Sequence, residues 1–418
     1  MLGMTSSMRA GRGSVAVVAF SCRPASGSEW GVGWNYVRML SGIFEQVSLY
    51  VRNAEEQIPG IQKELNRLQV TNVRLIPIED MFFYPLFRKP AIHARFLTAY
   101  YFAWVWKVFF RLLRDRAWVH HRYIFHPTWV SDWIFSPVFL LPFRFKIIGP
   151  MSSQPANFNS LSADRMASLR RLTVKTLLRC ISPNVINALR ADAAIGVSSR
   201  PLQVYPWRLC ERRRVITPIH SELQWVGTRG QQRQLVYIGK HLPFKNLDLF
   251  LAVAAELLRR DDALLVCLLG DNLRQAGAAD YLRHAGLDQH PRVRSYGLVG
   301  HERVAEQLGG LRSVLLQASS EAGGTVGVEA ITLGAPVVCV RGHGLDTLFD
   351  LEPYPLAVPY RHHTQFVADA ADMVQKVFAD YDTHSRWALA LSQRFSLQAS
   401  KDQLKELIDG IDASSGLR

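Results

Sequence analysis

The stretch Ser319-Ser320-Glu321-Ala322-Gly323-Gly324-Thr325-Val326-Gly327-Val328-Glu329-Ala330-Ile331-Thr332-Leu333-Gly334-Ala335-Pro336-Val337-Val338 reads as a loop, a helix and the start of a buried strand. An apolar run at Val314–Gln317 leads into it, and Val337–Val340 closes it. Strand, Gly-rich turn, helix and strand make the repeating unit of a parallel α/β sheet. Two carboxylates stand eight residues apart across the turn, which opens a helix at about Thr325. A helix N-terminus with unpaired N–H groups is an anion site, and Gly323 and Gly324 would let a phosphate approach the backbone closely. Glu321, on the loop, would face that anion from the sugar side. Glu329, one turn inside, suits a ribose diol, since a carboxylate accepts from two vicinal hydroxyls. Taken alone, the spacing favours an ordinary strand–turn–helix with two incidental glutamates.

Working outward, the same alternation fills the chain. The first half offers strands at Val15–Phe20, Val47–Val51, Val73–Ile76, Tyr123–His126, Lys146–Ile148 and Ala194–Val197. The second offers Leu235–Ile238, Leu264–Leu269, Val293–Tyr296, Val314–Gln317 and Val337–Val340. Each set is enough for its own doubly wound sheet, and 418 residues exceed one ordinary core. The expected fold class is therefore α/β, with two Rossmann-like domains facing across a cleft. Residues 1–205 are expected to form the first and residues 206–383 the second, with the helices of 384–418 packing back on the first. Pro206 to Gly230, with Arg212-Arg213-Arg214 and a Gly227-Thr228-Arg229-Gly230 turn, reads as the connection. Met1 to Ser14 is small and polar and is expected to be disordered. Arg9 and Arg12 before Val15–Phe20 imitate a secretion signal, but Ser21-Cys22-Arg23-Pro24 and a Gly-rich turn follow at once, so the run reads as a first strand.

Glu321-x7-Glu329 followed by Ala330 and Gly334-Ala335-Pro336-Val337-Val338 resembles the donor-binding signature of family 4 glycosyltransferases, a retaining group of the GT-B type. The resemblance implies that Glu321 touches the transferred sugar and Glu329 holds the ribose, and that residues 206–383 bind the nucleotide sugar while residues 1–205 form the acceptor and membrane side. Ala322 stands where that family usually has Gly. About 80 residues upstream, Tyr237-Ile238-Gly239-Lys240 and Phe244-Lys245-Asn246 resemble the family's strand, Gly-Arg-Leu and Lys-Gly element. Two cations beside a diphosphate stabilise the charge that develops as the nucleotide leaves. Lys240 replaces the usual Arg, so a fork becomes a point charge, and Lys245 keeps its type. Gly270, in Leu269-Gly270-Asp271, sits where the family has a strand end near the base, though a helix-cap glycine explains it equally. In the first half, Gly27-Ser28-Glu29-Trp30-Gly31-Val32-Gly33-Trp34 resembles the Gly-Ser-Glu-x-Gly-x-Gly-Trp element of a bacterial subgroup. Its backbone donors at Gly27, Ser28 and Glu29 would meet phosphate or acceptor. His126 ends a strand and would face the ligand crevice. Related enzymes place a sugar-contacting His nearby, while a structural His is the competing reading. Phe143 to Pro150 and Met151-Ser152-Ser153 follow the subgroup's Pro-Phe-x-x-Gly-Pro-x-Gly-Gly loosely, with serines for glycines.

Charge is uneven. Formal net charge is +14, and between Arg88 and Arg214 there are 21 Lys+Arg against 5 Asp+Glu, so the whole excess lies in that stretch. Such a field attracts anionic lipid, nucleic acid or phosphorylated substrate. Phe82 to Leu113 mixes aromatics with Arg88, Lys89, Arg95, Lys107 and Arg111, and Met166 to Leu178 is basic and amphipathic. Both read as segments lying in an anionic headgroup region, with an ordinary solvated basic helix as the alternative. The longest apolar run, Phe96 to Trp106, is shorter than the roughly 20 residues a spanning helix needs. Five scattered cysteines, without a CxxC pair, indicate a reducing cytosol. Asp380-Tyr381-Asp382 reads as a solvated turn, and neither a metal nor another cofactor is expected. The expectation is a hexosyltransferase moving a sugar from a nucleotide diphosphate sugar to a glycan or lipid-linked acceptor in polysaccharide or glycolipid assembly. It would lie in the cytoplasm, peripheral on the inner membrane face. A sugar-nucleotide epimerase of the same build and a non-catalytic partner subunit binding nucleotide or lipid are the alternatives. Nucleic acid is not an expected partner, since the aromatics fall in helical patterns rather than on a strand platform.

Overall fold

A computed structural model of the chain describes residues 13–24, 28–54, 57–80, 90–128, 134–151, 177, 182–217, 219–239, 242, 245–270, 276–320, 324–349 and 354–415. In the first half, β1 (Ser14–Ala19), β2 (Gln46–Arg52), β3 (Val73–Ile78), β4 (Tyr123–His126), β5 (Phe145–Met151), β6 (Ala193–Gly196) and β7 (Arg213–Val215) pair in parallel in the order β3-β2-β1-β4-β5-β6-β7. β1 lies between β2 and β4, with Val15 opposite Val47 and Tyr123. It is covered on both faces, which is why it reads as an unbroken apolar run. β3, at the edge, alternates buried with exposed positions and carries Pro77, as an edge strand tolerates.

In the second half, β8 (Arg233–Ile238), β9 (Leu265–Leu269), β10 (Val293–Gly297), β11 (Arg312–Gln317), β12 (Val337–Val340) and β13 (Ala357–Val358) form a sheet in the order β10-β9-β8-β11-β12-β13. Both sheets carry crossover helices: α1 (Ser28–Ser41), α2 (Gln57–Arg67) and α3 (Pro90–Arg114) in the first, α4 (Leu247–Arg260), α5 (Ala276–His284), α6 (His301–Gly309) and α7 (Thr325–Thr332) in the second. α8 (His363–Ala379), α9 (Tyr381–Ser392) and α10 (Leu397–Ser415) end the chain. α4 shows why these segments are helical: an apolar face of Phe250, Leu251, Ala254, Leu257 and Leu258 is buried, and Asp248 and Arg259–Arg260 complement the dipole at its two ends.

The expected boundaries need correction at both edges of the second domain. Arg213–Val215, assigned to the connection, is an edge strand of the first sheet, and Ile216 lies in the first core while Ile219 lies in the second. The crossing thus falls at about residues 216–219. Of the helices in 384–418, α9 stays on the second core through Tyr381, Ala388 and Leu391. α10 packs on the first through Leu404, Leu407, Ile408 and Ile411. Ser400 Oγ donates to the Thr217 carbonyl at 2.7 Å, tying α10 to the crossing.

Cys22, Cys210, Cys267 and Cys339 are free and buried. Asp382 pairs with Arg312 at 3.1 Å beside the Asp380 turn. Among the described residues, no group of three His, Cys, Asp or Glu is placed to hold a metal, and no helix is long and apolar enough to cross a membrane. The disorder expected for Met1 to Ser14 lies outside the described residues except at Gly13 and Ser14, where β1 begins. Met166 to Leu178 also lies outside them, Leu177 excepted.

Candidate nucleotide-sugar site

Strand order reverses between β1 and β4 in the first sheet and between β8 and β11 in the second. Ligands of open α/β sheets bind beyond the carboxyl ends of the strands flanking such a switch. The residues singled out in the second half lie there. β11 leads through Ala318, Ser319 and Ser320, all buried, toward Gly324, which opens α7 with φ 45° and ψ 39°. A Cβ at Gly324 would lie 2.8 Å from the Gly344 carbonyl carbon, so glycine is required there by space as well as by backbone angle. Val328 N–H donates to the Gly324 carbonyl, leaving the first-turn N–H groups from Thr325 onward without partners along the helix. Gln317 fixes the neighbouring turn, its Oε1 accepting from Leu345 N–H at 2.9 Å.

From β8 the chain passes Gly239 to Lys245 and Asn246. Asn246, buried with φ 47°, caps α4 and donates from Nδ2 to the Ala318 carbonyl at 2.9 Å and to Ser320 Oγ at 2.8 Å. This one side chain holds the Lys245 loop against the loop that leads to Glu321. Lys245 lies back across Gly239, its Cδ 3.5 Å from where a Cβ on that glycine would stand. Gly270 ends β9 with φ 148°, and a Cβ there would fall 1.9 Å from the Gly239 carbonyl oxygen. Gly239 N–H donates to the Leu269 carbonyl at 2.9 Å and Gly270 N–H to the Gly297 carbonyl at 2.8 Å, so backbone bonds tie these strand ends together.

Glu329, on α7, is partly exposed, yet burial pushes its carboxyl up from 4.5 to about 7, with the Lys245 ammonium pulling the other way. The native state therefore keeps a proton that the unfolded chain has lost between these values. The contribution of Glu329 to stability falls as pH rises through that window and stays low above it. Glu329→Gln removes the titration. The variant is expected to melt above wild type by a few degrees near pH ~8 and level with it near pH ~5, each kcal/mol being worth about 2–4 °C in a domain of this size. An equal gap at both pH values in thermal melts sinks the assignment.

His126 ends β4 at the first switch point, but its side chain is spoken for. It is 1% exposed, with Nε2 3.1 Å from Tyr101 Oη, Nδ1 2.9 Å from Ser136 Oγ and the ring stacked on Phe139. Burial drives its pKa down to about 3. With both nitrogens held inside the protein it is a neutral core histidine, and the catalytic expectation for it is corrected. The turn after β1 is shaped instead by Thr128, whose Oγ1 accepts from Phe20 N–H at 2.9 Å, and by Gly33, where a Cβ would fall 2.0 Å from the Ser21 carbonyl oxygen.

The structure thus sets Gly239, Lys245, Gly270, Gly324, Thr325 and Glu329 beyond the carboxyl ends of β8, β9 and β11. Glu321, Lys240, Gly323 and Gly27 lie outside the described residues, as do the side chains of Ser28 and Glu29, whose backbone begins α1. Sequence reasoning missed Asn246, although an Asn directly before a helical apolar run is a usable signal for a left-handed cap. It also missed Arg200, which follows β6 and donates from Nη1 to the Gly342 carbonyl at 3.3 Å, joining the two halves beside the Gly344 turn.

Residues 222–354 match the family described as "Glycosyl transferases group 1", a span that contains Gly239, Lys245, Asn246, Gly270, Gly324 and Glu329. The chain is 32% identical over 195 residues to the D-inositol 3-phosphate glycosyltransferase of Saccharomonospora viridis, and that match spans 44% of each chain, less than half the length of the relative. Among solved structures, Anabaena HepE in complex with UDP and glucose superposes with TM-score 0.59 at 13% identity, over 96% of this chain and 100% of that one. S. aureus TarM, in complex with Fondaparinux, alpha-GlcNAc-glycerol and UDP, does so with TM-score 0.61 at 9% identity, over 94% and 99%. The fold is the GT-B fold of two Rossmann-like domains.

Proposed function

We propose that the chain is a retaining glycosyltransferase of family 4 that moves a sugar from a nucleotide diphosphate to a glycan or lipid-linked acceptor. One observation carries the reading: a lysine and a half-buried carboxylate, Lys245 and Glu329, feel each other's charge beside the first turn of α7 at a topological switch point. In this reading the diphosphate lies between that turn and Lys245, with Lys240 adding a second cation. Glu329 takes the ribose diol and Glu321 the sugar. As the bond from the anomeric carbon to the diphosphate oxygen breaks, negative charge grows on the leaving group, where fixed cations and N–H dipoles stabilise it. The acceptor hydroxyl attacks the face the nucleotide leaves, and configuration is kept. UDP is the favoured nucleotide, because the HepE and TarM structures carry it. Calorimetric titration without added metal is expected to give a Kd of about 1–100 μM for UDP and weaker binding of GDP. Absence of binding by either nucleotide sinks the reading.

The acceptor is met at the cytoplasmic face of an anionic membrane. α3 supports this: while Tyr100, Tyr101, Trp104, Val108 and Leu112 are buried, Phe102, Phe110 and Leu113 are exposed along its other face, with Trp106 between them. Arg114 and Arg116 are exposed at its end, within the stretch that holds all of the excess positive charge. Aromatics inserted among headgroups with nearby cations bind acidic bilayers. Phosphatidylglycerol vesicles are expected to co-sediment the protein and phosphatidylcholine vesicles to leave it in solution, with Phe102→Ser/Phe110→Ser abolishing the difference. Equal partitioning to both vesicle types rejects the membrane role.

A further inference from the structure

A second cavity opens outside the crevice, at the amino ends of β2 and β3, where the last turn of α3 and the His120–His121 segment overhang the sheet. Its volume, about 880 Å³, is that of a small-molecule site. The 7 residues of β2 span about 23 Å, and this cavity lies at their amino ends, whereas the crevice is built from the second sheet.

The wall contains an orphan. His121 is 8% exposed, and its Nδ1 is buried with no hydrogen-bond partner. Burial, together with the neighbouring His120 and Arg74, holds its pKa down to about 4, so the ring is neutral and Nδ1 serves as donor or acceptor by tautomer. Leaving such an atom unpaired costs about 1–3 kcal/mol, but Nδ1 is covered from solvent, so the ring lines the wall through its other atoms. Tyr50 keeps its hydroxyl proton, since burial first and Asp115 second push it up to about 12. Ser48 adds a hydroxyl from the strand floor, and Val47 and Ile76 give that floor apolar ground.

The charges on the wall cancel. Arg74 and Arg111 are matched by Glu45 and Asp115, and Arg111 is already paired with Asp115 at 2.6 Å. An anion needs an excess of cations. A sugar hydroxyl, which donates and accepts at once, needs donors and acceptors interleaved without net charge, and the apolar ground suits the C–H face of a pyranose ring. We infer that this cavity is a second, non-catalytic binding site for a neutral oligosaccharide. The site belongs to the first sheet alone, so it stands whether or not the crevice transfers sugars.

The test is calorimetric titration with maltopentaose and with chitopentaose, each with and without saturating UDP, and with inorganic phosphate as the anionic probe. One of the two oligosaccharides is expected to bind, with the same affinity in the presence of UDP and in Lys245→Ala. Arg74→Ala and Glu45→Ala, both at exposed positions on the wall, are each expected to weaken it at least ~10-fold, a loss of about 1.4 kcal/mol. Failure of both oligosaccharides to bind overturns the inference. So does binding that UDP displaces, binding indifferent to both variants, or saturable binding of phosphate in their place. Loss of UDP binding alone bears on the crevice and leaves this site untouched.

Discussion

Lys245→Ala is expected to weaken nucleotide diphosphate binding by about 10- to 100-fold, the loss of one charge-assisted hydrogen bond of about 1.5–3 kcal/mol. Sugar transfer should fall further, by about 100- to 1000-fold in kcat/KM, because the interaction strengthens as charge builds on the leaving diphosphate. The size of the effect rests on how firmly the ammonium is placed. Its stem crosses Gly239, which has no side chain to displace it, and the next residue, Asn246, is bonded to both the Ala318 carbonyl and Ser320. Among the described residues, the same substitution removes the cation that opposes the rise in the Glu329 pKa, so Glu329 in the variant should hold its proton above about 7. Steady-state kinetics separate the two contributions. A higher KM with unchanged kcat would mean that Lys245 holds the ground state and the transition state equally. Lys245→Arg should recover part of the binding and less of the rate, since a fork cannot occupy a seat cut for a point charge. If Lys245→Ala transfers sugar at the wild-type rate, the diphosphate lies elsewhere.

The part of this arrangement that sequence discloses is the part set by local pattern. Central strands are buried on both faces, so β1, β4, β11 and β12 appear as apolar runs, and Tyr123–His126 and Val337–Val340 are found residue for residue. Two strands are not found, for a physical reason. β7 is three residues long, lies at an edge and begins with two exposed arginines, so it imitates a linker, and β13 is a two-residue pairing. The crevice shows the same division. Gly239, Lys245, Gly324 and Glu329 are legible because a turn, a cation and a helix start each leave a local mark. His126 has the right address but the wrong neighbours for chemistry, since Tyr101 and Ser136 reach it from 25 and 10 residues away. Asn246 acts across more than seventy residues, and Arg200 across 142. Such pairings are fixed by packing, which periodicity does not report.

Gly270→Ala is the substitution expected to do most damage to the second domain itself. The added methyl would meet the Gly239 carbonyl oxygen at 1.9 Å and its carbon at 2.6 Å. Both are main-chain atoms of the neighbouring strand end, so no side chain is available to swing aside. Nor can the strand ends part cheaply, because Gly239 N–H is bonded to Leu269 and Gly270 N–H to Gly297. The φ of 148° adds strain for any residue with a Cβ. Overpacking of about 1–3 kcal/mol and backbone strain of about 1–3 kcal/mol together reach about 2–6 kcal/mol, against a typical total of about 5–15 kcal/mol. Gly286→Ala separates the two terms: its φ is 68°, but nothing lies within 4 Å of an added Cβ, so it should cost only the strain. Chemical denaturation of both variants is the measurement, with UDP titration of whatever remains folded. Gly270→Ala should lose several times the stability that Gly286→Ala loses, and should bind UDP more weakly even when folded, since the bond that spreads holds Gly239, which the Lys245 stem crosses. Equal losses in the two variants would mean that these strand ends stand further apart than the backbone contact requires, and that their pairing owes nothing to the absence of a side chain at Gly270.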